Sequence, residues 1–247
     1  YDIRGVVGSE LTTPTVKKIG QAVGTMALSQ MQKTICVGYD GRLSSPSLST
    51  TLIDGLLSTG INVIDIGLCT TPMLYFSNFY QETGTGVMIT GSHNPPEYNG
   101  FKMVIKGKTL TSDDIQNLYQ IILDSNYLNG EGDKKSLSIK SQYLHEISNS
   151  IELKRPMKVA IDCGNGAAGV CAEELFKKLG VETEPLFCDV DGNFPNHHPD
   201  PSNPKNLLDL KNKLKNGDSE LGLAFDGDAD RLGVVTKDGE IIFPDRQ

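Results

Sequence analysis

The sequence predicts an α/β fold made of two tandem three-layer α/β/α domains with mixed, mainly parallel sheets. Short apolar runs that are typical of buried strands alternate with amphipathic runs of helical spacing, which is the pattern of βαβ units. This pattern restarts after a polar, glycine-containing stretch at residues 126–135, which we interpret as a linker. A length of 247 residues is also sufficient for two domains of ordinary size.

The first predicted domain comprises residues 1–137. Leucines spaced four residues apart from Leu48 to Leu56 lie on one face of a predicted helix, and Thr111 or Ser112 would cap another. The predicted elements are strands at residues 33–39, 62–66 and 86–90, and helices at residues 12–28, 46–58 and 113–123.

The second predicted domain comprises residues 138–247, with a hairpin at residues 233–243 around the turn Lys237-Asp238-Gly239. Its other predicted elements are strands at residues 158–162, 181–188 and 221–225, and helices at residues 139–153, 169–179 and 206–215. Ligands of such sheets gather at the carboxyl ends of the strands. Two domains with those ends facing each other would form one active-site cleft.

The charge balance restricts the partners of the chain. It has 23 basic and 31 acidic residues, a net charge of −8, which argues against nonspecific binding to nucleic acid or to an anionic membrane surface. No apolar run is long enough to span a bilayer, and no signal peptide is evident. We expect a cytoplasmic protein and a monomer. The chain starts at Tyr1 and ends at Gln247 without an ending signal, so we expect a fragment of a longer protein.

The cysteines indicate reduced thiols in the core. None of the five forms a Cys-x-x-Cys pair, and most lie in or beside apolar strand-like runs, which argues against a disulfide framework or a zinc site. They are Cys36, Cys69, Cys163, Cys171 and Cys188.

A segment at residues 90–96, Thr-Gly-Ser-His-Asn-Pro-Pro, presents the hydroxyl of Ser92 in a stiff turn. Gly91 permits a sharp turn, and the two prolines limit the entropy that is lost on ordering. For any one of these residues alone the structural role is the commoner one: a loop serine, a hydrogen-bonded His93 or a solvated Lys102.

A second segment at residues 226–231, Asp-Gly-Asp-Ala-Asp-Arg, follows an apolar strand. Its three carboxylates can converge on a hard cation such as Mg²⁺, and an acidic surface turn is the alternative. Arg231 and Lys237 occupy positions where an EF-hand needs Gly and Glu. A dehalogenase-type phosphatase would also place Asp-x-Asp after a strand, but it leaves Ser92 unexplained. A phosphoryl-carrying serine needs a divalent cation, so the two segments account for each other.

Two further patterns support other hypotheses. Gly164-Asn165-Gly166-Ala167-Ala168-Gly169 matches a dinucleotide-binding fingerprint, with Glu184 or Asp189 as ribose partner, and a tight strand-to-helix turn is the alternative. The histidines of residues 193–200 favour an ordered loop over a metal site, because adjacent side chains diverge. Arg4 and Arg42 lie at glycine turns that suit phosphate, although surface salt bridges are commoner.

Together these segments resemble the α-D-phosphohexomutase superfamily, in its bacterial phosphomannomutase/phosphoglucomutase branch; the phosphoglucosamine mutase branch ranks second. The resemblance runs along the whole chain and is carried by residues 1–5, 90–96, 191–199 and 226–231. The glycine-rich segment at Gly164 also occurs at this place in the superfamily, which weakens the hypothesis of a dinucleotide-binding module.

The resemblance implies a mutase that interconverts hexose 1-phosphate and hexose 6-phosphate through a phosphoserine and a hexose 1,6-bisphosphate intermediate. It implies Mg²⁺ bound by the phosphorylated Ser92 together with Asp226, Asp228 and Asp230. The implied catalytic residues are Ser92, His93, Lys102, Arg4 and Arg231, with Lys102 as a candidate general acid/base. Superfamily members have four domains, so this chain would hold domains I and II, lack domains III and IV, and be inactive alone.

Overall fold

The structure, a computed structural model, describes residues 3–247, and the chain divides into one unit that ends at Ser138 and another that begins at Ile139. Tyr1 and Asp2, which open the first sequence motif, lie outside the described residues. Each unit is a mixed sheet covered by helices, so the predicted fold class is confirmed. Within residues 3–247, no helix is long and apolar enough to cross a membrane.

The first unit contains seven strands and four helices in its described part. The strands are β1 (Ile3–Val6), β2 (Thr34–Tyr39), β3 (Asn62–Leu68), β4 (Gly86–Ile89), β5 (Tyr98–Ile105), β6 (Lys108–Thr109) and β7 (Lys134–Ser136). The helices are α1 (Thr13–Ser29), α2 (Ser45–Leu57), α3 (Thr71–Tyr80) and α4 (Ser112–Leu123). The sheet order is β1-β5-β4-β2-β3-β7, with β6 beside β5. Strands β4, β2, β3 and β7 are parallel, whereas β1, β5 and β6 pair antiparallel.

Helices cover both faces of this sheet because successive strand residues point to opposite sides. Val37 of β2 belongs to the core formed with α1 and α2, whereas the neighbouring Cys36 lies 3.5 Å from the Ser77 hydroxyl of α3. Helices α1 and α2 approach closely at Gly20 and Gly55. A Cβ on either glycine would overlap a backbone carbonyl oxygen of the other helix.

The second unit has the same layered design. Its strands are β8 (Lys158–Asp162), β9 (Glu182–Leu186), β10 (Leu221–Phe225), β11 (Leu232–Thr236) and β12 (Ile241–Ile242). Its helices are α5 (Lys140–Ser150), α6 (Ala172–Lys178) and α7 (Leu208–Asn216). The sheet order is β12-β11-β10-β8-β9, with parallel pairing of β10, β8 and β9 and antiparallel pairing of the other two. Val159 and Ile161 of β8 face one apolar core, and Ala160 faces the other.

Several predicted elements differ from the structure. Helix α3 and strand β5 were not expected from the sequence. In β5 the core residues Phe101, Met103 and Ile105 alternate, but the buried polar Asn99 and Lys102 interrupt a continuous apolar run. Strand β7 overlaps the end of the predicted linker; its side chains are exposed, and its backbone pairs with β3. Helix α5 ends at Ser150, three residues before the predicted end.

Candidate active site

Ser92 lies directly beyond the carboxyl end of β4. Its φ of 48° is in the left-handed region, which a residue with a Cβ rarely adopts. The Ser92 amide donates to the Thr90 hydroxyl at 2.7 Å, and Ser92 Oγ lies 3.3 Å from Nδ1 of His93. The residue is 2% exposed. The turn therefore fixes the backbone of Ser92 and brings its hydroxyl next to an imidazole.

Arg42 holds the backbone of this turn. It follows β2, the parallel neighbour of β4, and is 2% exposed. The planar guanidinium offers donors in a fixed fork, which suits several carbonyl oxygens at once. Its acceptors are the carbonyl oxygens of Ser92 at 2.9 Å, Asn94 at 2.6 Å, Pro95 at 2.6 Å and Tyr98 at 2.9 Å. Arg42 is thus neither the phosphate ligand nor the surface salt bridge that the sequence suggested.

Asp40 completes this support. Its Oδ2 lies 3.3 Å from Nε of Arg42 and accepts from the Gly91 amide at 3.1 Å, while its Oδ1 accepts from the Ser45 hydroxyl at 2.6 Å. Burial raises the pKa of the Asp40 carboxyl, and the charge of Arg42 and the hydrogen bonds offset part of this rise. Gly91 is required here, because a Cβ would overlap the guanidinium.

Two other predicted residues lie on strands of the same sheet. Arg4 is exposed on β1 opposite Gly100 of β5, and its Nη1 donates to Asn94 Oδ1 at 2.9 Å. Lys102 is on β5 opposite Met88 of β4 and is 9% exposed. The first unit therefore places Arg4 against the turn that carries Ser92 and His93, and it places Lys102 on the strand next to the one that leads to Ser92.

The aspartate triplet follows β10 in the second unit. One carboxylate oxygen from each of Asp226, Asp228 and Asp230 lies within 4.8 Å of the others. Asp226 and Asp228 are 0% exposed, whereas Asp230 is exposed. Asp226 Oδ1 accepts from the amides of Asp230 and Arg231 at 3.0 Å each, and Ala229 adopts a φ of 61°.

This donor set fits a metal ion. Two fully buried carboxylates in one cluster repel each other and lose hydration, and a cation would offset both effects. Carboxylate oxygens are the ligands that hard divalent cations prefer. Arg231, which comes next, is exposed.

The glycine-rich segment packs against protein atoms of its own unit. A Cβ on Gly166 would lie 3.0 Å from the Gly227 carbonyl oxygen, and one on Gly169 would overlap the carbonyl oxygen of Cys188. The segment continues into a short 3₁₀ turn at Ala167–Val170, which includes Gly169, in place of the long helix that a dinucleotide site uses. These contacts favour a close-packed turn over a pyrophosphate cradle.

His197 joins the loop at residues 193–200 to the end of β8. Its Nε2 lies 3.0 Å from Oδ2 of Asp162, and its Nδ1 lies 3.0 Å from the His198 carbonyl oxygen. Burial by itself would lower the pKa of His197, but the hydrogen bond and attraction to Asp162 outweigh burial and raise it. With a partner at each nitrogen, the imidazole clamps its loop to the end of β8.

Two family models match this chain. The one described as phosphoglucomutase/phosphomannomutase, alpha/beta/alpha domain I, matches residues 1–128, and the one for domain II matches residues 141–239. The chain belongs to the phosphoglucomutase/phosphomannomutase family. The resemblance predicted from the sequence motifs is confirmed.

Relatives of known name agree with this membership. A phosphoglucomutase of Neisseria meningitidis is 54% identical over 249 aligned positions, covering 100% of this chain and 54% of the relative. A phosphomannomutase/phosphoglucomutase of Pseudomonas aeruginosa is 51% identical, with 100% and 53% coverage. The crystal structure of a family protein from Burkholderia thailandensis superposes with a TM-score of 0.96 at 48% identity, covering 99% of this chain and 55% of that one. The chain spans about half the length of the curated relatives it matches.

Sequence reasoning missed the support of the serine turn by Asp40 and Arg42. The signal was present, because Asp40-Gly41-Arg42 follows a predicted strand just as Gly91-Ser92 does. Carboxyl ends of neighbouring parallel strands meet at one edge. What the sequence does not contain is the strand order that makes β2 the neighbour of β4.

Proposed function

We propose that this chain supplies the phosphoserine and metal-binding parts of a phosphohexomutase that interconverts hexose 1-phosphate and hexose 6-phosphate. This activity is that of a phosphomannomutase/phosphoglucomutase, an isomerase of carbohydrate metabolism. The observation that carries the proposal is the geometry of Ser92. Hydrogen bonds of its amide and its carbonyl oxygen hold its backbone in a left-handed turn. Its hydroxyl lies 3.3 Å from His93 Nδ1.

In the proposed reaction, a hydroxyl of the sugar phosphate attacks the phosphorus carried by Ser92. The bond from phosphorus to Ser92 Oγ breaks as the bond to the sugar oxygen forms, and the hydroxyl proton passes to Lys102 as general base. His93 lies beside Ser92 Oγ, which is the oxygen that carries the phosphoryl group. The guanidinium groups of Arg4 and Arg231 are proposed to bind phosphoryl oxygens. The bisphosphorylated sugar then turns around and returns its other phosphoryl group to Ser92, with Lys102 as general acid.

The proposed metal ion is Mg²⁺, held by Asp226, Asp228 and Asp230. Bound there, it supplies positive charge that offsets the charge of a phosphoryl group in transfer. Three carboxylates do not fill the octahedral shell of Mg²⁺. Phosphorylation of Ser92 should therefore strengthen Mg²⁺ binding, since a phosphoryl oxygen is a further hard ligand.

Phosphopeptide mapping tests the role of Ser92. After incubation with a hexose 1,6-bisphosphate and Mg²⁺, we expect one phosphoryl group on the peptide that contains Ser92 and none in Ser92→Ala. Ser125→Ala is a matched control, because Ser125 is exposed and also left-handed, with a φ of 51°, but lies outside the serine turn. A label that persists in Ser92→Ala would contradict the proposal.

Calorimetric titration with Mg²⁺ tests the triplet. Asp228→Asn should bind Mg²⁺ at least about tenfold more weakly than wild type, because it removes a buried charged ligand. Asp238→Asn, which neutralises an exposed aspartate in the hairpin turn, should leave the affinity unchanged. Equal affinities for wild type and Asp228→Asn would leave the triplet as an acidic turn.

A turnover assay tests whether the 247-residue chain is active by itself. Positioning contributes roughly 7–11 kcal/mol in favourable cases, and a mutase must grip one phosphate while the other reacts. We propose that the distal grip lies outside this chain, so a coupled assay should show negligible conversion of glucose or mannose 1-phosphate. A protein of the relatives' full length that contains this sequence should be active. Comparable turnover by the short chain would show that its two units suffice.

We further propose that the protein works as a monomer in the cytoplasm on free hexose phosphates. The cysteines of the described residues are free thiols, which suits a reducing compartment. Cell fractionation and light scattering of the full-length protein would check location and oligomeric state.

A further inference from the structure

The sulfur atoms of two thiols in the second unit are separated by less than the sum of their van der Waals radii. Cys163 follows β8 and Cys188 lies just beyond β9, and these strands are parallel neighbours. Their Sγ atoms are 3.2 Å apart, although 25 residues separate them in sequence. A disulfide has an S–S distance of about 2.05 Å, so the sulfur atoms need to approach by only about 1 Å.

The surroundings hold the two thiols in register. The Cys163 amide donates to the Leu186 carbonyl at 3.1 Å, and the Asn165 amide donates to the Phe187 carbonyl at 2.8 Å. The pair therefore sits on a hydrogen-bonded frame at the carboxyl edge of the sheet. We propose that Cys163 and Cys188 form an oxidative modification site that closes to a reversible disulfide in the folded protein.

The two cysteines have different roles because their exposure differs. Cys163 is 0% exposed, whereas Cys188 is half-buried and can meet a small oxidant. The contact with Cys188, together with burial, raises the pKa of Cys163, which keeps Cys163 protonated. Cys188 is therefore the thiol that reacts first, and Cys163 is the resolving thiol.

The oxidant we consider is a peroxide. The Cys188 thiolate attacks one peroxide oxygen, the O–O bond breaks, and Cys188 becomes a sulfenic acid while hydroxide leaves. Cys163 sulfur then attacks the Cys188 sulfur, the S–O bond breaks, and the Cys163 proton leaves with that oxygen as water. The two thiols have lost two electrons to the peroxide, and a dithiol reductant returns them.

This site borders the aspartate triplet. The backbone of Cys163 continues to Ala167, whose amide donates to the Gly227 carbonyl at 2.9 Å. Gly227 separates Asp226 from Asp228. The thiol pair is therefore connected to the loop that carries the buried carboxylates through four residues of backbone and one hydrogen bond.

Peptide mapping of the 247-residue chain tests the proposal. The reduced protein is exposed to hydrogen peroxide in small molar excess, alkylated, digested without reductant and analysed by mass spectrometry. We expect a cross-linked pair of peptides that contain Cys163 and Cys188, two hydrogens lighter than the separate peptides and split by dithiothreitol. Circular dichroism should be unchanged by oxidation, which shows that the link forms in the folded state.

Two variants and one control assign the roles. Cys163→Ala should leave the Cys188 sulfenic acid without a resolving thiol, so dimedone should label Cys188 several-fold more than in wild type. Cys188→Ser should abolish oxidation of Cys163, and Cys171→Ser, a control in the same unit, should form the cross-link as wild type does. A Cys188 that proceeds to sulfinic acid beside an unmodified Cys163 would overturn the proposal. A link between Cys171 and either thiol would overturn it as well. Both of these results can be observed in the wild-type protein, so the test does not depend on the folding of a variant.

Discussion

The serine loop (residues 90–98) and the aspartate loop (residues 226–231) each hold a residue in the left-handed conformation, and they do so in different ways. Each follows a strand that has a parallel neighbour, and each contains a non-glycine residue in the left-handed region: Ser92 with a φ of 48° and Ala229 with a φ of 61°. Such conformations persist only where the surroundings hold them. For each loop, a buried ionisable side chain makes hydrogen bonds that help to hold it: Arg42 for the serine loop and Asp226 for the aspartate loop.

The difference lies in where this side chain comes from. Arg42 lies outside the serine loop, at the end of a neighbouring strand, and donates to carbonyl oxygens of the loop. Asp226 belongs to the aspartate loop, accepts two amides of that loop, and is itself one of the candidate metal ligands. Support and chemistry are therefore separate in the serine loop and combined in the aspartate loop, and substitutions should reveal this.

The largest expected effect is at Arg42. Arg42→Met leaves Asp40 buried without its ion pair and removes the donors to four carbonyls, so we expect a loss of about 3–5 kcal/mol in the free energy of unfolding. Urea unfolding measures it. Arg155→Met is the matched control, since Arg155 pairs with Glu220 at 2.6 Å but is 61% exposed, and should cost no more than about 1 kcal/mol. If the two substitutions cost the same, the guanidinium does not hold the serine loop.

An intermediate effect should distinguish the two functions of Asp226. Asp226→Asn keeps an oxygen that can accept from the Asp230 and Arg231 amides, whereas Asp226→Ala leaves both amides without it. Without metal, the alanine variant should be about 1–3 kcal/mol less stable than the asparagine variant. Both should bind Mg²⁺ weakly, because both lack the carboxylate charge. Equal stability of the two variants in urea would mean that the aspartate loop is held by something else.

How much the sequence predicts also differs between the two loops. The aspartate loop was predicted from its own residues, because support and candidate ligands share one short segment after a strand. For the serine loop, Ser92 was predicted and Arg42 was singled out, but the support that Arg42 gives to the loop was not predicted, because it depends on the strand order that places β2 beside β4. Strand β5, which carries Lys102, was missed for a related reason. Its buried polar residues, Asn99 and Lys102, interrupt the continuous apolar run by which buried strands are found in sequences.

The smallest expected effect concerns pH and a histidine of the second unit. The clamp between His197 and Asp162 lies at the end of β8, next to the strand that leads to the aspartate loop, and the pKa of His197 is raised. A raised pKa means that the clamp contributes fully below the ordinary histidine value of about 6.5 and is lost as pH rises through the raised value. The melting temperature of wild type should therefore decline relative to His197→Gln as the pH rises above about 6.5. Arg42 does not titrate in this range, so it adds no such slope in the first unit.

His145→Gln, at an exposed position of α5, should keep the wild-type slope. Parallel profiles for wild type and His197→Gln would show that the imidazole is not a charged clamp.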